Sequence, residues 1–295
     1  MSIKYSVCIT YFFNRKNIFD LLNCIDLEIN KNVEIIVRND NPNHQLRLNK
    51  HPRIKVFNNK KKPLGETDSI KFLLSKASGQ YVSLIADDDL MSDKIFNILE
   101  NDPVKKDAYL FISTKNKKTF LNKNILTFKN SAEYFLNFFM GNIFLCGMTG
   151  TVFNKNFLIK KMSKIKIKNY LLDTYLLFMI IQNSHKIYDF IYGFNNTKTS
   201  RISSSKINIP VFESDHFYLL SKIKNTKLQM RYIFFTIKEF YSLLFRGEKN
   251  KFSVFFMFIK NHLILKNLNL LNKFLLIQYS LYFFIKLLIK KVKFS

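Results

Sequence analysis

The chain predicts an α/β protein, a doubly wound and mostly parallel sheet with helices on both faces, followed by a helical C-terminal region. Three observations carry this. Short apolar runs of strand type alternate with segments of helical spacing through the first hundred residues. Polar clusters stand at the ends of three of those runs. From about Ile209 onward there is one Gly and one Pro, and Phe, Leu, Ile and Lys dominate. Strand–helix–strand alternation builds parallel sheets because a crossover helix returns the chain to the same edge of the sheet.

The elements follow in order. Tyr5–Thr10 (YSVCIT) is a short apolar run with β-forming residues, the pattern of a buried strand. Asn14 can cap a helix whose apolar positions Ile18, Leu21, Leu22 and Ile25 keep the three-and-four spacing. Val33–Val37 (VEIIV) is a second buried strand, ended by the turn-rich Asn39-Asp40-Asn41-Pro42-Asn43. Arg53–Phe57 alternates as a third, shorter strand, and Lys60–Gly65 is a basic loop. A helix is expected from about Thr67 to Ala77, with Ile70, Leu73, Leu74 and Ala77 on one face. Gly79 is expected to close it in the left-handed conformation. Tyr81–Ile85 (YVSLI) is the next strand and runs directly into Ala86-Asp87-Asp88-Asp89. Ser92 or Asp93 can then cap a helix carrying Ile95, Phe96 and Leu99.

Composition excludes several classes. The 295 residues include 47 basic and 21 acidic, a formal charge of +26, yet 47% are hydrophobic with 32 Phe and 14 Tyr. Charge disorders chains poor in large apolar side chains, and this chain is rich in them, so it folds around a sizeable core. Cys8, Cys24 and Cys146 have neither disulfide-framework nor zinc-ligand spacing, which implies a reduced compartment. No apolar signal-peptide core precedes the first strand. The charge is unevenly spread: residues 1–100 hold 15 basic and 12 acidic, whereas His216–Ser295 holds 15 basic against Glu239 and Glu248 alone.

In open parallel sheets, ligands bind beyond the carboxyl ends of the strands. Thr10–Arg15, Asn39–Asn43 and Asp87–Asp89 all lie at such ends, so the topology gathers them into one crevice. Three adjacent carboxylates repel one another unless a cation sits among them. Mg²⁺ or Mn²⁺ uses one or two carboxylates plus substrate phosphates, and in that position neutralises charge developing on a diphosphate leaving group. A solvated loop or helix cap is the alternative. No Gly-rich turn follows the first strand, so neither a dinucleotide-binding fingerprint nor a P-loop is present. His44, His51, His185, His216 and His262 have no metal-ligand spacing.

These residues resemble a known family. Ser6-Val-Cys-Ile-Thr-Tyr-Phe-Phe-Asn-Arg15 is similar to the opening strand and helix start of family 2 glycosyltransferases, which have the GT-A fold. Glu34-Ile-Ile-Val-Arg-Asn-Asp-Asn-Pro42 resembles their second strand and its acidic turn. Gly65, the helix after it and Ala77-Ser-Gly-Gln-Tyr-Val-Ser-Leu-Ile-Ala-Asp-Asp-Asp89 resemble the approach to their DXD motif. The resemblance is good over residues 3–100, weak to about 205 and absent beyond.

The resemblance implies that Thr10, Tyr11, Asn14 and Arg15 line the base of a nucleotide-sugar donor, with Asp40 and Asn39 at its edge. It implies that Asp87 faces the ribose, Asp88 holds the divalent metal (Mg²⁺ or Mn²⁺) and Asp89 helps to position donor or acceptor. Gly65 belongs to the donor side, and Lys71 is either a diphosphate contact or part of a solvated helix face. The family usually has an aspartate where Asn39 stands, and Ala86 takes the first DXD position. Asp173, in Asn169-Tyr-Leu-Leu-Asp-Thr-Tyr-Leu-Leu-Phe178, matches the family's catalytic base, although a cap explains it too. Cys146-Gly-Met-Thr-Gly-Thr151 resembles the acceptor-side loop, and Arg201 is a diphosphate contact or a surface arginine.

Residues 1–205 are thus expected to form a GT-A-like catalytic domain, and 206–295 a basic, apolar helical region. Phe274–Ile285 (FLLIQYSLYFFI) is the most apolar stretch of that region, followed by Lys286, Lys290, Lys291 and Lys293. About a dozen apolar residues fall short of the roughly 20 needed to span a bilayer. They suit a helix lying on an anionic membrane surface, or one packed on the catalytic domain or on a second copy in a homo-oligomer. No nucleic-acid-binding motif is present. The implied activity is a metal-dependent, inverting transfer of sugar from a nucleotide diphosphate to a glycan or lipid-linked acceptor. Its implied setting is bacterial capsule, lipopolysaccharide or lipooligosaccharide synthesis, cytoplasmic and peripheral on the inner face of the cell membrane. A nucleotidyltransferase acting on a sugar phosphate, and a non-catalytic membrane-associated partner, are the competing readings.

Overall fold

The computed structural model describes residues 2–12, 17–48, 51–59, 63–87, 89–91, 93–102, 107–112, 125–127, 151–166, 186–189, 218, 230, 232–233, 260 and 270–292. These comprise strands β1 (Tyr5–Tyr11), β2 (Val33–Asn39), β3 (Ile54–Asn58), β4 (Tyr81–Ala86), β5 (Ala108–Ile112), β6 (Ile125–Thr127), β7 (Thr151–Asn154) and β8 (Lys186–Asp189). The helices are α1 (Asn17–Asn23), α2 (Glu66–Lys76), α3 (Lys94–Asn101), α4 (Lys155–Met162) and α5 (Leu270–Val292).

The eight strands form one sheet in the order β3-β2-β1-β4-β7-β5-β8-β6. Its first half, β3-β2-β1-β4, is parallel throughout. β7 runs antiparallel to both β4 and β5, β5 is parallel to β8, and β6 is antiparallel to β8. The parallel half matches the expectation of a mostly parallel sheet, and the other half is mixed.

The central strands are apolar on both sides because both faces of the sheet are covered. Val7, Ile9 and Tyr11 of β1 join Ile18 and Leu21 of α1 and Ile95, Phe96 and Leu99 of α3 in one core. α2 packs against β1, β2 and α4, and buries Ile70, Leu73 and Leu74. Helices therefore lie on both faces, as the alternation predicts.

Two local expectations are corrected. Gly79 does not close α2: the cap is Ala77, in extended conformation, whose N–H reaches Leu73 O. Among the described glycines the left-handed region is taken by Gly65 instead, at φ 84°. Gly79 is required for another reason, since a Cβ there would stand 2.7 Å from Ser6 N, Ser6 Oγ and Tyr5 C. Asp93 precedes α3 but makes no side-chain cap hydrogen bond. The expected caps Asn14 and Ser92 lie outside the described residues.

The amino ends of the strands are tied by a buried polar knot. Glu34 accepts hydrogen bonds from Ser6 Oγ at 2.7 Å, Ser78 N at 2.6 Å and Lys55 Nζ at 2.8 Å. Ser6 Oγ in turn accepts from Gly79 N at 2.8 Å. Beyond the α/β core, Tyr218 O–H donates to Lys164 O at 3.2 Å, and Met230, Tyr232 and Ile233 are buried.

Candidate active site

The carboxyl ends of β1, β2, β3 and β4 finish level. Tyr11 pairs with Asn39, Asn39 with Asn58, and Thr10 with Ala86. This register brings the segments after all four strands to one edge, where ligands of parallel sheets bind.

The strand-end segments hold one another. Asp40 N donates to Tyr11 O at 2.9 Å, and Asn41 Nδ2 donates to Phe12 O at 2.9 Å. Phe12 N donates to Asp87 Oδ2 at 3.4 Å. Asp87 and Asp89 are both buried, and Asp89 N closes a turn onto Ala86 O at 3.3 Å. The Tyr11 ring lies 6.1 Å from that of His44. Burial first, and then the charge of Asp87, push the Tyr11 phenol above its ordinary range.

Asp40 and Asn39 build the walls. Asp40 Oδ2 accepts from Leu64 N at 2.8 Å and Gly65 N at 3.1 Å, while Oδ1 accepts from Asn59 Nδ2 at 2.9 Å. The Arg38 guanidinium stands 3.7 Å from Asp40 Oδ1 and 4.4 Å from the centre of the Phe72 ring. Gly65 is the only residue type that takes φ 84° without strain, and this conformation aims its N–H at Asp40. Asn39 is 0% exposed. Its amide donates to His44 O and Asn58 Oδ1, and its oxygen accepts from Asn41 N. An aspartate at 39 has no protons to donate there, so this network is specific to asparagine.

A crevice of this build, at the edge of a GT-A-like sheet, is what the resemblance anticipates. Residues 6–165, more than half of the chain, match the family model for glycosyl transferase family 2. The chain is a family 2 glycosyltransferase. Three solved structures of S. aureus TarS 1-349 share its fold. The complex with UDP has a TM-score of 0.58 at 12% identity, covering 99% of this chain and 92% of that one. A further structure of TarS 1-349 has a TM-score of 0.57 at 13% identity, covering 88% and 80%. The complex with UDP-GlcNAc has a TM-score of 0.52 at 13% identity, covering 88% and 81%. No curated protein matches the chain.

In this family 2 glycosyltransferase, Thr10, Tyr11, Asn39, Asp40, Gly65, Asp87 and Asp89 gather at the carboxyl edge of the parallel strands. Lys71 lies on the exposed side of α2, paired with Asp68 Oδ1 at 3.2 Å. Asn14, Arg15, Asp88, Asp173 and Arg201 lie outside the described residues. Among the described residues no group of three His, Cys, Asp or Glu side chains converges on a metal. Asp87 and Asp89 nevertheless suit Mg²⁺ or Mn²⁺ by chemistry, because such ions bind through one or two carboxylates and complete their shell with water and phosphate. Asn58 and Asn59 join these strand-end residues through bonds to Asn39 and Asp40, and sequence reasoning left them out. Their signal was the polar pair Asn58-Asn59 at the end of a third parallel strand, which must open onto the same edge.

Proposed function

We propose that this glycosyltransferase moves a sugar from a nucleoside diphosphate to a hydroxyl group of a glycan or lipid-linked acceptor. One observation supports the reading: the segments after β1, β2 and β4 are cross-linked by hydrogen bonds at one edge of the sheet, where Asp87 and Asp89 are buried. The UDP and UDP-GlcNAc complexes of TarS support a nucleotide sugar as donor.

In this reading Thr10, Tyr11, Asn14 and Arg15 line the base. Asn39 and Asp40 act on it through the walls they hold. Asp87 takes the ribose, Asp88 carries a Mg²⁺ or Mn²⁺ ion, and Asp89 orients the donor. Lys71 and Arg201 are the cations nearest in role to the diphosphate. The ion, when bound, offsets the negative charge that grows on the departing diphosphate. Asp173 accepts the proton of the acceptor hydroxyl as its oxygen bonds to the anomeric carbon. The bond from that carbon to the diphosphate breaks with its electron pair leaving on the nucleotide, which inverts the configuration. The resemblance implies bacterial surface-polysaccharide synthesis as the setting.

The test is turnover of nucleotide sugars by the full chain with Mn²⁺ or Mg²⁺, followed by mass spectrometry of product and released nucleotide. Asp88→Asn is expected to lower kcat by roughly a hundredfold or more, the scale of losing one group that stabilises transition-state charge. Chelation should stop the reaction. Undiminished turnover without metal overturns the metal assignment, and release of pyrophosphate with a nucleotide-linked product overturns the transferase reading.

A further inference from the structure

The charge excess and the last helix describe one surface. α5 runs for 23 residues, Leu270–Val292, and contains no Asp or Glu. Leu276 and Ser280, one turn apart, are fully buried and fix the side of the helix that meets the protein. Leu270, Phe274, Leu281 and Ile285 recur at the four-and-seven spacing that lines a single helical face. All four are exposed, Leu270 to 86%. At 100° per residue, this row lies on the side turned away from Leu276 and Ser280.

The row is a patch and not scatter. Of the eleven large apolar side chains exposed among the described residues, six lie on this one helix. A contiguous apolar surface of that kind marks a site of association. At 1.5 Å per residue the helix is about 34 Å long, yet none of the described helices is apolar enough to cross a membrane.

Charge selects the occupant. Lys286, Lys290 and Lys291 occupy the last two turns of α5, and His216–Ser295 carries 15 basic residues against two acidic. A second copy laid on this face would bring two strongly positive stretches together. An anionic bilayer offers both an apolar interior for the row and negative headgroups for the lysines. We propose that α5 lies flat in the interface of an anionic membrane, with Leu270, Phe274, Leu281 and Ile285 among the acyl chains. The helix then carries the transferase to the surface where lipid-linked acceptors reside.

The experiment is co-sedimentation of the full chain with vesicles of phosphatidylcholine alone, or of phosphatidylcholine mixed with phosphatidylglycerol, beside light scattering without lipid. Wild type is expected on the mixed vesicles only, and less so as salt rises. Phe274→Ser with Leu281→Ser should cut partitioning by roughly tenfold or more per side chain, with an unchanged melting temperature because both positions are exposed. Lys290→Gln and Lys291→Gln should each lower it roughly fivefold. Two results overturn the proposal. One is equal sedimentation of wild type and both sets of variants. The other is a lipid-free dimer that the Phe274→Ser/Leu281→Ser chain fails to form while wild type ignores the vesicles, which assigns the face to a second copy.

Discussion

At the scale of single residues, two carboxylates show how burial is made tolerable by saturation with donors. Asp40 is buried at the carboxyl end of the sheet and engages Asn59, Leu64, Gly65 and Arg38. Glu34, at the amino end, engages Ser6, Ser78 and Lys55. For Glu34, burial is the largest single influence and acts to raise the carboxyl. The hydrogen bonds from Lys55, Ser78 and Ser6 together outweigh it and hold the group below its usual value of 4.5. A carboxyl depressed by folding stabilises the protein above its unfolded-state value, and that contribution is lost as pH falls through the lower folded-state value. Urea midpoints of wild type should therefore decline as pH drops below about 4.5. Glu34→Gln, less stable at neutral pH, should show a flatter decline over the same window. Parallel pH profiles for the two proteins would remove Glu34 from the acid response.

At the scale of elements, the joint between α2 and β4 decides how closely the sheet and its helical layer meet. Gly79 packs so tightly on the start of β1 that an added methyl group meets backbone atoms at 2.7 Å. Backbone cannot swing aside as a side-chain tip can, so Gly79→Ala is expected to cost about 2 kcal/mol, the scale of overpacking a core. Urea denaturation measures it, and a loss below about 0.5 kcal/mol would mean that the joint opens without strain. This glycine also marks the limit of what the sequence reveals. β1, β2, β4 and α2 were legible because a strand covered on both faces is continuously apolar and a packed helix repeats every three to four residues. The same Gly fits a helix cap by position alone, since close approach to Ser6 depends on a residue 73 positions away. β7 and α4 were not anticipated either: β7 has four residues and pairs antiparallel with strands from two other parts of the chain. Asn154, which accepts from Phe157 N at 3.2 Å and caps α4, was the readable sign. At the candidate site, Thr10, Tyr11, Asp40, Asp87 and Asp89 were legible as strand-end polar residues. The wall-building bonds of Asn39, Asn58 and Asn59 were not, because side-chain pairing across strands leaves no periodic trace.

At the scale of the whole molecule, the +26 charge is unevenly divided between two regions. Residues 1–100, with 15 basic and 12 acidic side chains, are near balance, and their ion pairs include Arg38–Asp40 at the candidate site and Lys55–Glu34 in the polar knot. The excess lies beyond them. Its field extends only about 8 Å at physiological ionic strength, so it reaches a donor nucleotide weakly unless the two surfaces are adjacent. The candidate site rests on the ends of β1 to β4, and among the described residues α5 does not pack against any of these strands to a substantial extent. Substitutions at separate surfaces with no shared partners add within about 0.5 kcal/mol. With UDP as the probe of the proposed donor site, a concentration a hundred times its Kd should raise the unfolding free energy by about 2.7 kcal/mol. The rise should be the same in wild type and in Phe274→Ser/Leu281→Ser, as read from urea melts with and without UDP at physiological salt. At low salt the basic region should strengthen UDP binding in both proteins alike, since neither substitution changes charge. A UDP-dependent rise that shrinks in the α5 variant at physiological salt would show that the last helix is coupled to the crevice.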